Sequence, residues 1–153
     1  RLRGTAYTAG ILHNVGNVAL SQVLVNEAPA VREALEDESL DFLEVERMVV
    51  GMDHAKAGGI ITDQWYLPVD LRRSIKNHHD PQQVLDDSEL TALVHVADIL
   101  AIQLGIGTGI DGLNYPLCSE ALRKICATGP DLDKIRIQIV DELNRSAELV
   151  NLR

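Results

Sequence analysis

The chain has 153 residues, 46% of them hydrophobic, only 3% aromatic, and a formal net charge of −9. That length suits one domain with a sizeable core, and a core this poor in aromatics must be aliphatic, which favours packed helices over a β-sandwich. The acidic balance, with no Lys/Arg cluster larger than a pair such as Arg72-Arg73, argues against nucleic acid and anionic membranes as partners, because phosphate contacts need a basic footprint.

In chain order the pattern is helices joined by short turns. Ala6, Tyr7, Ala9, Ile11 and Leu12 suit a buried helix from Thr5 to His13. Gly16 allows a bend, a helix resumes over Val18 to Val25, and Pro29 breaks it before a short helix around Val31 to Leu35. Phe42, Val45, Val49 and Val50 have helical spacing with acidic residues on the other face, and Gly51 ends that helix. Asp53 caps the next helix, which runs through Ala55, Ala57, Ile60 and Ile61 to Trp65. "YLP" breaks it, and Pro68 starts another helix through Leu71 and Ile75 to His79. "DPQQVLDD" reads as a loop.

Ser88 caps a helix from Glu89 to Leu104 that is apolar on every side, which belongs in the middle of a bundle. "GIGTGIDGLNYP" is a Gly-rich loop. Ser119 opens a short helix to about Cys126, and Pro130-Asp131 opens the last one, with Ile135, Ile139, Leu143 and Val150 as its apolar stripe. No strand pair with a hairpin turn is evident, so the fold class is all-α. Cys118 and Cys126 form no disulfide framework and no zinc knuckle, and read as reduced core thiols of a cytoplasmic protein. No stretch approaches bilayer-spanning length and no signal peptide is visible. The chain begins at Arg1 and reads as a piece of a larger protein.

The five histidines are His13, His54, His78, His79 and His95, and four of them fall at helix ends, where side chains can share a cleft. Asp98 sits in the middle of the most apolar helix, where a carboxylate is costly unless paired or bound to a cation. Imidazole with carboxylate is a ligand set for zinc, manganese or iron. Each residue also has a plainer reading. His13 suits a helix C-terminus, His54 can bond Asp53, His78-His79 can be a solvated helix end, and His95 can bond Asp98 within the core. Trp65 with Leu67-Pro68 reads as a core plug and turn. Gly105, Gly107 and Gly109 make no phosphate loop, since no Lys-Ser/Thr follows. Glu36 to Glu38 reads as solvated surface.

Three blocks, "GILHNVGNVAL", "GMDHAKAGGIITDQWYLPVDLRRSIKNHHDP" and "LVHVADILAIQLGIG", resemble the HDOD domain, a relative of the HD and HD-GYP metal-dependent phosphohydrolases. They anchor residues 1 to about 110 in the family's order. The resemblance implies an all-α helical bundle of the HD-domain type. It also implies that residues 1–153 are a single HDOD-like domain, the C-terminal part of a longer HDOD region. The ligand set it carries over is His13, His54, His78, His79 and Asp98. Asn14 stands where active HD enzymes have the bridging aspartate, and Asn17 where a lysine often follows. A further ligand on a preceding helix is not included in the chain. The "GYP" element of cyclic di-GMP hydrolases is missing after His79, and "NYP" at 114–116 reads as a turn.

The chemistry of those losses decides between two functions. A metal phosphohydrolase uses its cation to polarise phosphate and to generate hydroxide near neutral pH. Asn14 offers a neutral oxygen where two divalent charges need a carboxylate, and Asn17 supplies no positive charge to phosphate. One such electrostatic group contributes about 3–4 kcal/mol to the transition state. The expectation is therefore a non-catalytic bacterial signal-transduction module with a degenerate site and no catalytic residue. Its cofactor would be a divalent metal (Mn, Fe or Zn), and its partners a partner protein, attached signalling domains or a nucleotide-like ligand. The alternative is a divalent-metal phosphohydrolase acting on a nucleotide or cyclic dinucleotide.

Overall fold

The computed structural model describes residues 2–37, 39–84, 88–106 and 115–151, and among them every regular element is a helix. The first four are α1 (Leu2–Leu12), α2 (Val15–Asn26), α3 (Ala28–Ala34) and α4 (Phe42–Val50). After them come α5 (His54–Gln64), α6 (Val69–Asn77), a 3-10 turn (Pro81–Gln83), α7 (Glu89–Gln103), α8 (Ser119–Lys124) and α9 (Gly129–Asn151). Among these residues no helix is long and apolar enough to cross a membrane.

Local chemistry sets several of the boundaries. Asp41 and Glu44 form a reciprocal capping box at the start of α4, with Oδ1 of Asp41 accepting from the Glu44 amide at 2.8 Å and Oε2 of Glu44 from the Asp41 amide at 2.9 Å. Gly51, at φ +86°, ends that helix in the left-handed conformation. Asp53 caps α5 by accepting from the Lys56 amide, and Ser88 caps α7 by accepting from the Thr91 amide. Pro29 does not act as the helix breaker expected of it. It lies in the first turn of α3, where its missing N–H is no loss. The helix opened by Pro68 stops at Asn77, and His78 follows it as the cap residue.

Helix α7 is the central element, as its apolar sequence predicts. One side buries Ala92, Val96 and Leu100 against Ala121 of α8 and Leu132 of α9. Another buries Leu90 and Val94 against Ala9 of α1 and Leu71 of α6. Burying one such aliphatic side chain contributes roughly 1.5–3 kcal/mol. Leu67 packs against this second cluster, but Trp65 is 54% exposed, so the plug of the "WYLP" turn is the leucine and not the tryptophan. Cys126 is exposed and Cys118 half-buried, both free, so neither is a core thiol. Of the apolar stripe of α9, Ile139 is half-buried and the Val150 side chain lies outside the described residues. Ile135 and Leu143 are exposed, and Leu132 in the first turn is what enters the core. The Gly-rich stretch after α7 falls largely on residues 107–114, outside the described residues, as do Asn114 of "NYP", Glu38 and Asp86-Asp87.

The tightest contact is between α2 and α5. Gly16 sits inside α2 and makes no bend. A Cβ there would lie 1.9 Å from the His54 carbonyl oxygen and 2.8 Å from the Gly58 amide nitrogen. On α5, a Cβ on Gly58 would meet Ile75 at 2.9 Å. Only hydrogen at Gly16 and Gly58 lets three helices come this close.

Gly16→Ala forces backbone against backbone, which no rotamer change relieves. We expect it to cost about 3 kcal/mol or more, read as a lower urea midpoint. Gly51→Ala, strained in φ but in open space, should cost only about 1 kcal/mol. Equal losses at the two positions would refute the packing role of Gly16.

Candidate metal centre

The close α2–α5 crossing carries the turn at the end of α1 to the start of α5, and α6 delivers its own C-terminal residues to the same place. His13 follows α1, His54 opens α5, and His78 and His79 follow α6. Asp98 reaches them from the third turn of α7. The structure thus gathers all five residues named from sequence. Two overlapping groups, His54/His78/His79 and His13/His78/Asp98, each bring one ligand atom per residue within 4.8 Å of the others. The His78 ring lies at the middle, 4.1 Å from the His79 ring, 5.1 Å from His13 and 5.5 Å from His54.

What the imidazoles do with their Nδ1 atoms is decisive. Nδ1 of His13 faces the Gly10 carbonyl at 2.7 Å, Nδ1 of His78 faces the Ile75 carbonyl at 2.7 Å, and Nδ1 of His54 faces Oε2 of Glu46 at 2.7 Å. All three partners are acceptors, so each Nδ1 carries the proton and donates it. That leaves three Nε2 atoms turned to the cluster. Metal-binding histidines are held in this way, the outer nitrogen donating to a carbonyl or carboxylate while the inner lone pair ligates.

The inner nitrogens are poorly served by protein alone. Nε2 of His78 is buried without a hydrogen-bond partner. Nε2 of His54 faces Nε2 of His79 at 2.9 Å, an arrangement that needs one proton for two lone pairs. Donation by His79 then leaves its Nδ1 buried and unpartnered, 4.0 Å from Oδ2 of Asp98. His13 has acceptors at both ends, since Nε2 lies 3.2 Å from Oδ1 of Asp98, so it must be an imidazolium there unless another cation takes the place of its proton. A divalent cation, which accepts lone pairs and balances Asp98, fits this donor set.

Charge follows burial. Desolvation, with the imidazoles of His13 and His54 adding to it, pushes His78 down to about 3, although the Ile75 carbonyl and Asp98 pull the other way. Desolvation and the charges of its neighbouring histidines also lower His79. Burial works against the charged form of His13, but the hydrogen bond and charge of Asp98, with the Gly10 carbonyl, outweigh it and raise its pKa.

Glu46 escaped the sequence reading, which assigned the acids of α4 to its solvated face. It is fully buried, and its Oε2 accepts from both the Nδ1 and the backbone amide of His54. The signal was present: Glu46 lies four residues after Phe42 and next to Val45, on the buried stripe. His54 therefore bonds Glu46 and not Asp53, which instead pairs with Arg47 at 2.7 Å. His95 is not bonded to Asp98 either. Its Nδ1 donates to the His78 carbonyl at 2.7 Å, and its Nε2 accepts from the Cys118 amide at 3.0 Å.

Asn14 occupies the N-cap of α2 yet makes no capping bond, and its Oδ1 is buried without a partner, as is that of Asn17. Two grooves flank the cluster. One, about 380 Å³, runs between α1 and α7 past Ala6, Gly10 and Ala97 to His13 and Asp98. The other, about 340 Å³, is bordered by His79, His95, Cys118 and Glu120.

Two outcomes follow. Below its ordinary 6.5, His78 takes up a proton when unfolded but not when folded until about 3, so the fold loses about 1.4 kcal/mol per pH unit across that window. His79 acts in the same direction. His13, being raised, contributes stability below 6.5 that is lost as pH rises through its folded value. With His95 also lowered by burial, three lowered groups outnumber it, so melting temperature should fall steadily between about pH 7 and pH 5; a flat or rising profile would contradict the buried neutral imidazoles. Second, Glu46→Ala strands two buried donors of His54 and should cost roughly 2–5 kcal/mol in chemical denaturation.

The HDOD domain model matches residues 2–81, more than half of the chain. No curated protein matches it. Among solved structures, an HDOD domain protein of unknown function from Geobacter sulfurreducens is 22% identical and superposes with a TM-score of 0.63, over 90% of this chain and 49% of that one. The chain thus spans about half the length of that protein, and at this identity the likeness speaks for the helical fold. With the family match resting on the block that holds His13, His54, His78 and His79, the chain belongs to the HDOD domain family.

Proposed function

We propose that this domain is a non-catalytic signal-transduction module that retains the histidine shell of a metal phosphohydrolase without its hydrolytic machinery. The observation that carries the reading is Asn14. At the position of the bridging carboxylate, its Oδ1 is buried and bonded to nothing in the protein, so it serves neither as a helix cap nor as an acid. Asn17, also with an unpartnered Oδ1, replaces the cation that would face a phosphate.

A bound divalent metal (Mn, Fe or Zn) would be held by Nε2 of His13, His54 and His78 with His79 and Asp98, and Glu46 would orient His54. Such an ion supplies Lewis acidity and bound hydroxide. The chain's own part is to hold neutral imidazoles in one tautomer, exclude water from them and offer one carboxylate. One carboxylate among four neutral donors leaves a dication undercompensated. That favours a ligand-responsive or structural site over one that turns over phosphate esters. The output would pass to a partner protein or attached signalling domains, with a nucleotide-like ligand as the input.

The converging histidine groups support a second reading, a phosphohydrolase with an unusual ligand set. Activity separates the two. With manganese, iron or zinc supplied, we expect no hydrolysis of cyclic di-GMP or nucleoside phosphates. Turnover that tracks metal loading and vanishes in His54→Ala would establish the second reading instead.

Asn14→Asp tests the degenerate motif itself. A second carboxylate should strengthen divalent-metal binding in calorimetry, and metal should raise the melting temperature of the variant more than that of the parent. Without metal the variant should be the less stable of the two, because it buries another carboxylate near Asp98. Identical metal responses in variant and parent would sink the idea that Asn14 stands in for a ligand.

A further inference from the structure

Helices α5 and α6 form an antiparallel hairpin, as the pairing of Gly59 with Lys76 and of Asp63 with Arg72 requires. Along it runs a groove of about 460 Å³ whose described lining includes none of the histidines. Lys56, Arg72, Arg73 and Lys76 line it, against Asp63 as the one acid among the described lining residues. Four of the chain's 14 Lys and Arg residues thus gather in one groove of a molecule whose net charge is −9. The overall acidity hides a local basic surface.

The groove is built, not a chance gathering of long side chains. The bare backbone of Gly59 lets the stem of Lys76 lie on α5, where a Cβ would come within 3.0 Å of its Cβ and Cγ. Arg72 donates through Nη1 to Asp63, yet its Nε is buried with no acceptor. Apolar surface accompanies the charge: Ile60 and Val69 line the groove and are 45% and 48% exposed.

The turn that joins the two helices adds a sharper sign. Tyr66 follows the α5 cap residue at φ +55°, the position where helices prefer glycine. The main-chain hydrogen bonds Tyr66 N–H to Asp63 O at 3.0 Å and Leu67 N–H to Thr62 O at 3.2 Å hold this turn, while the Tyr66 side chain is 93% exposed and packs on nothing that would favour tyrosine over glycine there. Trp65 beside it is also exposed. Exposed aromatics next to arginines are the residue types that anchor protein interfaces.

We infer that the α5–α6 groove and its turn form a docking surface for an acidic, apolar-bearing segment of a partner protein. Carboxylates meet Lys56, Lys76 and the exposed edge of Arg72, and apolar side chains cover Ile60, Val69 and Tyr66. A long phosphodiester chain fits less well, because the rest of the molecule repels it, while a short acidic segment needs only the local charge.

The test is fluorescence anisotropy of the full chain with a labelled helical peptide carrying Glu on one face and Leu on the other, beside the same peptide with Gln for Glu. The Glu peptide should bind about tenfold more tightly, and salt should erase the difference. The double variant Lys56→Glu/Lys76→Glu should lose that preference with its urea midpoint unchanged. Tyr66→Gly should keep or raise stability while weakening the peptide about fivefold or more. Equal binding of the two peptides would overturn the inference, as would unchanged binding in both variants or a Tyr66→Gly variant that unfolds more easily. Concentration-dependent dimers that the double charge reversal dissolves would overturn it too, by assigning the face to a second copy of the chain.

Discussion

The contact of the α2 backbone with the α5 backbone at Gly16 sets the dimensions of everything around the histidines. The His54 carbonyl oxygen occupies the space that a side chain at residue 16 would need. Glycine here is a matter of room, since Gly16 has ordinary helical geometry. Because the contact involves main-chain atoms on both sides, it has little freedom to relax. The turn carrying His13 and the helix start carrying His54 are therefore held at one separation. Ile75, packed against Gly58, ties the end of α6 and its His78-His79 pair to the same point. A close-packed interior transmits such a constraint over several residues.

Within that frame the polar groups are arranged for one protonation pattern. Two main-chain carbonyls and one buried carboxylate each claim an Nδ1 proton, which turns the Nε2 lone pairs of His54 and His78 inward and leaves His13 to share a proton with Asp98. Burial reinforces the pattern by penalising charge on His78 and His79. The cost appears in the atoms left over: Nε2 of His78, Nδ1 of His79 and the second oxygen of Glu46 are buried without partners. Those of His78 and His79 lie among the converging ligand atoms and are acceptors in the tautomers described, whereas the Glu46 oxygen lies behind His54. Asn14 and Asn17 bring further unpartnered oxygens, but no negative charge.

Much of this was legible in the residues. Caps at Asp53 and Ser88 and the stop at Gly51 depend on local chemistry, and local chemistry is written along the chain. The all-round apolar pattern of α7 put it at the centre, and the five residues of the cluster could be named from motif positions. Other features depended on neighbours far away in sequence. Gly16 reads as a bend until α5 is seen against it. Trp65 reads as core because tryptophan usually is, whereas Leu67 takes the buried place. Glu46 belongs to the buried stripe by spacing, but a carboxylate there makes sense only once the two donors of His54 arrive. His95 and Asp98 share one helix face by spacing, yet the His78 carbonyl and the Cys118 amide claim the ring first.

His95 has a mechanical meaning as well as a chemical one. Both of its nitrogens are committed, one to the carbonyl of His78 and the other to the amide of Cys118. A planar ring of fixed size spans the gap, so it acts as a rigid strut between the peptide that carries the central ligand candidate and the segment that leads into α8. Rotation of the His78 peptide must either break the strut or carry the Cys118 amide with it. Protonation of His95 would remove the acceptor that the Cys118 amide uses, and burial disfavours that charge. The orientation of the backbone at the site and the placement of the C-terminal helices are thus joined through a single side chain with no degree of freedom to spare.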